Sequence, residues 1–202
     1  MENKEYSPKT EEVAKVLDYM PTGKSSDNKP IALAQAIGTQ YFTLLEVTPK
    51  TGSSFSIGEE IKVGKDNRDK VELIKGRIAF KDLTSTALSE LNDTIEEIVE
   101  DQTQKYLGFF NKARSISLKR HQLELLPGIG KKHVIELIDQ REKSLFESFK
   151  DISSKVKNIP DPKKAIVKRI LEELEGPEDK HYLFVRPPAS PKKFDDYKPR
   201  RH

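Results

Sequence analysis

The residues best suited to chemistry lie in one short stretch, Leu126–Gly130, which reads LPGIG and is followed by Lys131 and Lys132. Apolar residues recur at helical spacing on both sides of it. Two helices joined by such a turn leave backbone N–H groups unpaired where the second helix begins, and anions are favoured there. The pattern therefore predicts a site that holds a nucleic-acid phosphate through the backbone, without reading a base.

The turn has physical requirements that the sequence meets. Glycine lets the backbone adopt positive φ and lets a phosphate approach closely. Ile129, between the two glycines, is expected to fill the small core between the helices. Val134 and Leu137 are expected to face the first helix.

With these residues the stretch resembles the helix-hairpin-helix motif, in which the amides of the turn bind a backbone phosphate without sequence preference. By position, the resemblance implies that Gly128, Gly130 and Lys131 donate backbone N–H groups. It also implies that Lys131 and Lys132 add positive charge. The predicted nucleic-acid-binding residues are Gly128, Ile129, Gly130, Lys131, Lys132, Lys119 and Arg120. The alternative is a plain helix connection with a C-cap glycine.

A second, degenerate copy of the motif is predicted over residues 146–165. Its turn, Ile159–Pro162, contains no glycine. Proline removes a backbone donor, and the carboxylate of Asp161 repels phosphate. This copy is therefore expected to pack against the first and not to bind a second phosphate.

No catalytic or metal-binding pattern accompanies the turn. The sequence contains no phosphate loop, no Gly-x-Ser-x-Gly elbow and no His-Glu-x-x-His. Its four histidines lack the spacing of metal ligands: His121, His133, His181 and His202. We therefore predict that the protein is not an enzyme and uses no cofactor and no metal.

Composition bounds the class of protein. The 202 residues leave room for one large domain or two small ones. Charged residues make up 34% and hydrophobic residues 35%, which indicates small cores under a heavily charged surface. The sequence has no cysteine, no apolar run of about 18 residues and no apolar N-terminal segment of the signal-peptide type. We expect a soluble, cytoplasmic monomer with no membrane partner.

Positive charge gathers around and after the turn. Residues 1–85 carry 13 basic and 13 acidic side chains, and residues 86–112 carry 2 and 6. Residues 113–202 carry 21 basic and 14 acidic side chains, an excess of +7. A polyanion is expected to dock on this last region, although ordinary solvated surfaces also carry such an excess.

Residues 1–80 are predicted to form a small OB-like β-barrel, with an SH3-like barrel as the alternative. Short runs rich in β-branched and aromatic residues alternate there with glycine-containing turns, and they lie at 13–20, 31–34, 41–47, 57–64 and 71–78. Tyr41 and Phe42 are expected to point to opposite faces of their strand. With Phe55 they are candidates for stacking on bases, although aromatic residues in small barrels are more often core.

Residues 81–112 are predicted to be connecting helices, because the apolar period changes to a helical one. Asp93 and Glu96 have the spacing of a capping box. They predict a short helix near 82–91 followed by a longer one near 93–110. The acidic balance of this region makes it a poor surface for nucleic acid.

Residues 113–176 are predicted to be an all-α tandem helix-hairpin-helix domain. Its helices are expected at 117–126, 131–143, 148–156 and from Asp161 to the residue before Gly176. Residues 177–202 are predicted to hold a last strand, Tyr182–Val185, that returns to the barrel, and then a disordered basic tail.

Over roughly residues 11–187 the chain is similar to the archaeal domain-of-unknown-function 655 family, whose members are described as RNA-binding. The likeness is carried by Ala34–Gly38 through Thr43–Val47, by Leu123–Lys132 and by Lys168–Leu174. The resemblance implies an OB-like barrel followed by helix-hairpin-helix units, and a preference for RNA over DNA. It implies no enzymatic activity.

Together these features predict an α+β, non-catalytic protein that binds nucleic acid through backbone phosphate. The alternative is a protein-interaction scaffold that uses the barrel or the acidic region 86–112, with the hairpin purely structural. A DNA-repair enzyme would need a catalytic Asp or Lys after the hairpin. Asp139, Asp151 and Asp161 are better explained as surface or capping residues.

Overall fold

The computed structural model describes residues 10–24, 31–66, 68–178 and 181–187, and the first part of the chain forms one antiparallel sheet. Its strands are β1 (Val13–Met20), β2 (Leu33–Gly38), β3 (Leu44–Pro49), β4 (Glu60–Lys62) and β5 (Val71–Arg77). They are ordered β4-β1-β2-β3-β5, so β4 and β5 are the two end strands. Register shifts in the β1–β2 and β3–β5 pairings accompany the curl of the sheet into a half-barrel. Every predicted run contributes a strand.

Both faces of the sheet contribute buried apolar side chains. One face forms a core of its own, made by Ala14, Val16, Ala34, Ala36, Leu45, Val47, Phe55, Ile61, Val63 and Val71. The other face contributes Leu17, Ile37 and Leu44 to the core shared with the helices. The sheet is thus attached to the helical part of the protein through its packing.

The segment 39–43 is a loop, and the prediction that Tyr41 and Phe42 alternate across a strand is wrong. Phe42 has a φ of +52° and is fully buried, whereas Tyr41 is half-buried. The buried carboxylate of Glu11 accepts the N–H groups of Gln40 and Thr43 at 3.0 Å each, which holds the loop in place. Phe42 and Phe55 are both core residues and are not available for stacking.

Two helices follow the sheet, α1 (Ser85–Asp101) and α2 (Thr103–Lys112). The hydroxyl of Thr84 caps α1 by accepting the Ala87 N–H at 3.1 Å. The predicted helix boundary at Asp93 is wrong. Helix α1 continues through this position, and the side chains of Thr94 and Ile95 are buried. The break between the helices lies at Gln102.

The remaining elements are a two-stranded hairpin, β6 (Ser115–Ser117) and β7 (Arg120–His121), a 3₁₀ helix (Gln122–Leu125), α3 (Lys131–Lys143), α4 (Phe149–Lys155) and α5 (Pro162–Glu175). The last three helices lie where the sequence predicts them, and Ser148 and Asp161 cap α4 and α5. The helix predicted over 117–126 does not form. Leu118, which such a helix would bury, is fully exposed at the hairpin tip.

A buried ion pair holds the C-terminal segment 181–187. The carboxylate of Glu173 accepts the N–H groups of Leu183, Phe184 and Val185 at 2.7, 2.9 and 2.9 Å, and Arg169 donates to it at 2.8 Å. Because Glu173 takes these backbone donors, the strand predicted over Tyr182–Val185 does not form, and that prediction is wrong. The predicted disordered tail after residue 187 lies outside the described residues.

Helix α1 lies between β1 and α5, so the sheet and the helices share one apolar core. The segment 81–112 supplies a large part of that core and does more than connect two regions. The architecture is mixed α+β, as predicted. Among the helices that the structure describes, none has the length and apolar character needed to cross a membrane.

Candidate nucleic-acid interface

The turn before α3 is held in one conformation by a glycine and by a neighbouring turn. The Ile129 N–H donates to the Leu126 carbonyl at 3.0 Å, which closes the turn. Gly128 has a φ of +82°, a value that residues with side chains rarely adopt. A Cβ atom at Gly128 would lie 3.1 Å from Cγ of Pro160, in the turn between α4 and α5. Because Gly128 has no side chain, it permits both the positive φ of this turn and its close contact with the turn between α4 and α5.

Ile129 supports the turn from inside. Its side chain is 4% exposed and lies in the helical core, as do Val134 and Leu137, in agreement with the sequence. Since the N–H of Ile129 is already bonded and its side chain is buried, this residue positions the turn and offers no contact to a ligand.

The beginning of α3 presents the groups that suit an anion. Gly130 is the N-cap residue, with φ −96° and ψ 176°, and it has no side chain with which to cap the helix. Within the described residues, the backbone N–H groups of Lys131 and Lys132 have no acceptor. The helix has 13 residues, so its dipole adds a positive potential at the same point. Unpaired donors and dipole together favour a bound anion.

The side chains around this helix end add charge and leave room for a ligand. Lys131 and Lys132 are exposed. His133 Nδ1 accepts the Gly130 N–H at 3.4 Å, which is a long hydrogen bond with which a ligand can compete. Three backbone donors and two ammonium groups thus meet at the start of α3.

A groove of about 930 Å³ beside the turn carries negative charge. It is bounded by Leu125–Gly130, by Arg120 and by the C-terminal end of α5. Its acidic lining residues are Glu124, Glu172, Glu175 and Glu178. Arg169 also lines it but is paired with Glu173. This acidic lining disfavours an anion inside the groove, whereas Lys131 and Lys132 do not line it and lie on the side of the turn that suits an anion.

The turn between α4 and α5 offers no comparable site. The Asp161 side chain accepts the Lys164 N–H at 3.1 Å, so a carboxylate already occupies the N-terminus of α5. Positive φ occurs here at Asn158, where the first turn uses a glycine. The contact of Pro160 with the position of Gly128 supports the expected packing role for this copy.

The chain is similar to archaeal proteins along most of its length. Residues 10–186 match the family described as "Protein of unknown function (DUF655)". The chain belongs to the DUF655 family. It is 40% identical over 180 residues to the uncharacterised protein MJ0038 of Methanocaldococcus jannaschii, covering 88% of this chain and 81% of that protein. It is also similar to the crystal structure of Af1531, a DUF655 protein of Archaeoglobus fulgidus, with 44% identity, a TM-score of 0.79, and coverage of 87% of this chain and 100% of that one.

Next to the turn, this DUF655 chain carries a basic hairpin, β6–β7, that sequence reasoning missed. Lys119 is exposed at its tip, and Arg120 borders the groove beside the turn. Lys112 and Arg114 are exposed just before it, and Leu118 is fully exposed at its tip. Some proteins that bind duplex DNA insert apolar side chains between base steps. The alternation of polar and apolar residues over 115–118 was the available signal, and a helical reading of the surrounding leucines obscured it.

His121 anchors this hairpin to the 3₁₀ helix. Its Nδ1 atom accepts the Leu123 N–H at 3.1 Å, and the residue is buried. Burial, together with the nearby charge of Arg141, lowers the pKa of His121. The neutral imidazole is therefore the form that fits this position.

The predicted site residues divide into three groups. Gly128, Gly130, Lys131 and Lys132 lie together at the start of α3, with Ile129 buried beneath them. Arg120 borders the adjacent groove, and Lys119 lies at the tip of β6–β7. No three His, Asp or Glu side chains of the described residues are grouped so that they could hold a metal ion.

Proposed function

We propose that this protein binds nucleic acid without catalysing a reaction, and that it grips one backbone phosphate at the N-terminus of α3. The observation that carries the proposal is the pair of unpaired N–H groups of Lys131 and Lys132 beside two exposed ammonium groups. Gly128 and Ile129 fix the turn in advance, so little conformational freedom is lost on binding. The preference for RNA rests on the family resemblance.

Two finer descriptions of the fold accompany this proposal. The curled five-stranded sheet supports an OB-like barrel, a fold that binds single strands. The two helix–turn–helix pairs around Gly128 and Pro160 support tandem helix-hairpin-helix units. In the first unit, the leading helix is shortened to the 3₁₀ turn Gln122–Leu125.

Ion pairs within the chain engage part of the acidic surface that the alternative, a protein-interaction scaffold, would use. Lys15 Nζ lies 3.0 Å from Glu97 and 3.6 Å from Asp101 on α1. Lys163 of α5 lies 2.8 Å from Glu100. Half of the six acidic side chains of residues 86–112 are thus paired within the protein. A partner that co-purifies after nuclease treatment would favour the scaffold.

Fluorescence anisotropy with single-stranded RNA, duplex RNA and duplex DNA tests the proposal. We expect RNA to bind most tightly, with log K falling linearly as log salt increases, because bound counterions are released. If none of the three binds at low salt, the proposal is wrong.

A salt titration locates the contact. The double variant Lys131→Gln, Lys132→Gln should make the salt slope shallower by about 1, since the two lysines together neutralise the one gripped phosphate. The matched control is Lys143→Gln with Lys150→Gln, which removes two exposed lysines away from the start of α3. Equal changes in the two double variants would mean that the contact is diffuse and not at the turn.

A further inference from the structure

A second cationic surface lies beyond the C-terminal end of α5. Two adjoining grooves, of about 510 and 270 Å³, lie along β5 and the C-terminal segment 181–187. They share Thr43, Arg77 and Arg186, so we treat them as one C-terminal cleft. The cleft opens at the edge of the sheet that β5 forms. Val63 and Gly64, which follow the other end strand, β4, also line it.

The side chains that line the C-terminal cleft give it a net positive charge. Five cationic side chains line it: Lys65, Arg68, Arg77, Lys81 and Arg186. Of its three carboxylates, Glu11 is engaged by backbone N–H groups of the loop 39–43, and Glu173 by Arg169 and the C-terminal segment. Glu175 alone is exposed. An anion entering the cleft therefore meets five cationic side chains and three carboxylates, two of which are buried.

Arg77 is the centre of this charge. It is exposed at the end of β5 and lines both grooves, and its guanidinium has no hydrogen bond or salt bridge to the described residues. Burial of part of its side chain and the nearby charge of Arg186 lower the pKa of Arg77, and the carboxylate of Glu11 opposes this shift. The fold thus holds two like charges near each other, and an anion between them would relieve their repulsion.

Aromatic side chains stand beside these cations. Phe80 and Tyr182 are half-buried and line the larger groove with Ile78 and Val185. Proteins that bind single-stranded nucleic acid combine a cationic track for the backbone with aromatic rings on which bases stack. The cleft has both elements within one surface, and the acidic end of α5 separates it from the start of α3.

We propose that the C-terminal cleft is a second binding site, which takes the phosphate backbone of single-stranded nucleic acid at Arg77 and Arg186. Phe80 and Tyr182 lie where a base would stack. The inference shares its ligand class with the proposed function and rests on it, but it uses none of the same residues. Arg77 and Phe80 belong to residues 1–85, whose net charge is zero, and Tyr182 and Arg186 belong to the basic region 113–202.

An NMR titration of the ¹⁵N-labelled full chain with a hexauridylate oligonucleotide tests the two sites separately. The probes are Arg77 Nε–H and the Tyr182 amide for the cleft, and the amides of Lys131 and Lys132 for the turn. We expect shifts at both. Shifts only at the turn would overturn the cleft and leave the proposed function intact, and shifts only at the cleft would support the cleft and overturn the turn. No shift at either would overturn both.

A pair of variants and a second probe sharpen the test. Arg77→Gln should weaken hexauridylate binding roughly tenfold, as loss of a charge-assisted phosphate contact does. Lys75→Gln removes a charge two residues away on the same strand but outside the cleft, and it should leave the affinity nearly unchanged. Equal effects of the two variants would overturn the site. A hexaglutamate peptide that shifts Arg77 as strongly as the oligonucleotide would overturn the nucleic-acid assignment.

Discussion

Replacing Glu173 by Gln should destabilise the whole protein, because four hydrogen-bond donors converge on this buried carboxylate. Oε1 accepts from Arg169 Nε at 2.8 Å and from the Leu183 N–H at 2.7 Å, and Oε2 accepts the N–H groups of Phe184 and Val185 at 2.9 Å each. A Gln amide keeps one acceptor oxygen and turns an NH₂ group toward two of the donors. Arg169, 4% exposed, would also lose its closest counter-charge.

The expected loss is about 3–5 kcal/mol, the cost of breaking a buried ion pair by removing one partner. In a chain of this size each 1 kcal/mol lowers Tm by roughly 2–4 °C, so Tm should fall by roughly 6–20 °C. Urea and thermal denaturation followed by circular dichroism measure the loss. Hydrogen exchange at the amides of residues 183–185 should accelerate as well.

Glu172→Gln is the matched control for this experiment. The Glu172 carboxylate lies 3.9 Å from Arg169 and its side chain is 41% exposed, so its removal should cost less than about 1 kcal/mol. A similar loss in both variants, or a loss below about 1 kcal/mol for Glu173→Gln, would refute the assignment of Glu173 as the anchor of the C-terminal segment.

Three further variants probe the turn, the core and the hairpin. Gly128 has a φ of +82° and lies against Pro160, so Gly128→Ala should lower the free energy of unfolding by about 1–3 kcal/mol in urea denaturation. Gly130 faces open space, so Gly130→Ala should lower it by less than about 1 kcal/mol. Equal losses in the two variants would contradict the turn geometry. The Tyr106 hydroxyl is buried without a partner in the described part of the chain, and burial raises its pKa. Tyr106→Phe should therefore leave Tm unchanged or raise it, and a clear fall would reveal a partner. The pKa of His121 is lowered from its usual 6.5. The stability that its neutral imidazole contributes should therefore be fully present above pH 6.5 and be lost as the pH falls below that value. Melting curves of His121→Gln should lack this part of the pH dependence, and parallel pH profiles would contradict it.

Local signals in the sequence were sufficient for much of the fold. Dense β-branched residues located the five strands, and Asp161-Pro162 and Ser148 marked the starts of two helices through their own side chains. The buried position of Ile129 followed from the turn pattern alone. These features depend on residues that are close together in the chain, which is why sequence reasoning reached them.

The errors have both local and long-range causes. Leu118 fits a helical period but is exposed, because the chain reverses direction at the β6–β7 hairpin. Tyr182–Val185 has strand-like composition, yet Glu173 of α5 takes its backbone donors. The C-terminal cleft joins Arg77 with Arg186 from the far end of the chain, so a count of charges along the sequence could not reveal it.

The most direct test of phosphate binding at α3 compares wild type, Gly130→Asn and Gly130→Asp in single-stranded RNA binding. A Cβ atom at Gly130 meets nothing within 4 Å, and both side chains are good N-caps, so both variants should fold. Only Asp adds a charge beside the expected phosphate, and unit charges about 4 Å apart repel by about 1–4 kcal/mol. We expect Gly130→Asp to bind at least about fivefold more weakly than Gly130→Asn, at similar Tm. Equal affinities of the two variants would contradict the claim that the start of α3 holds the phosphate.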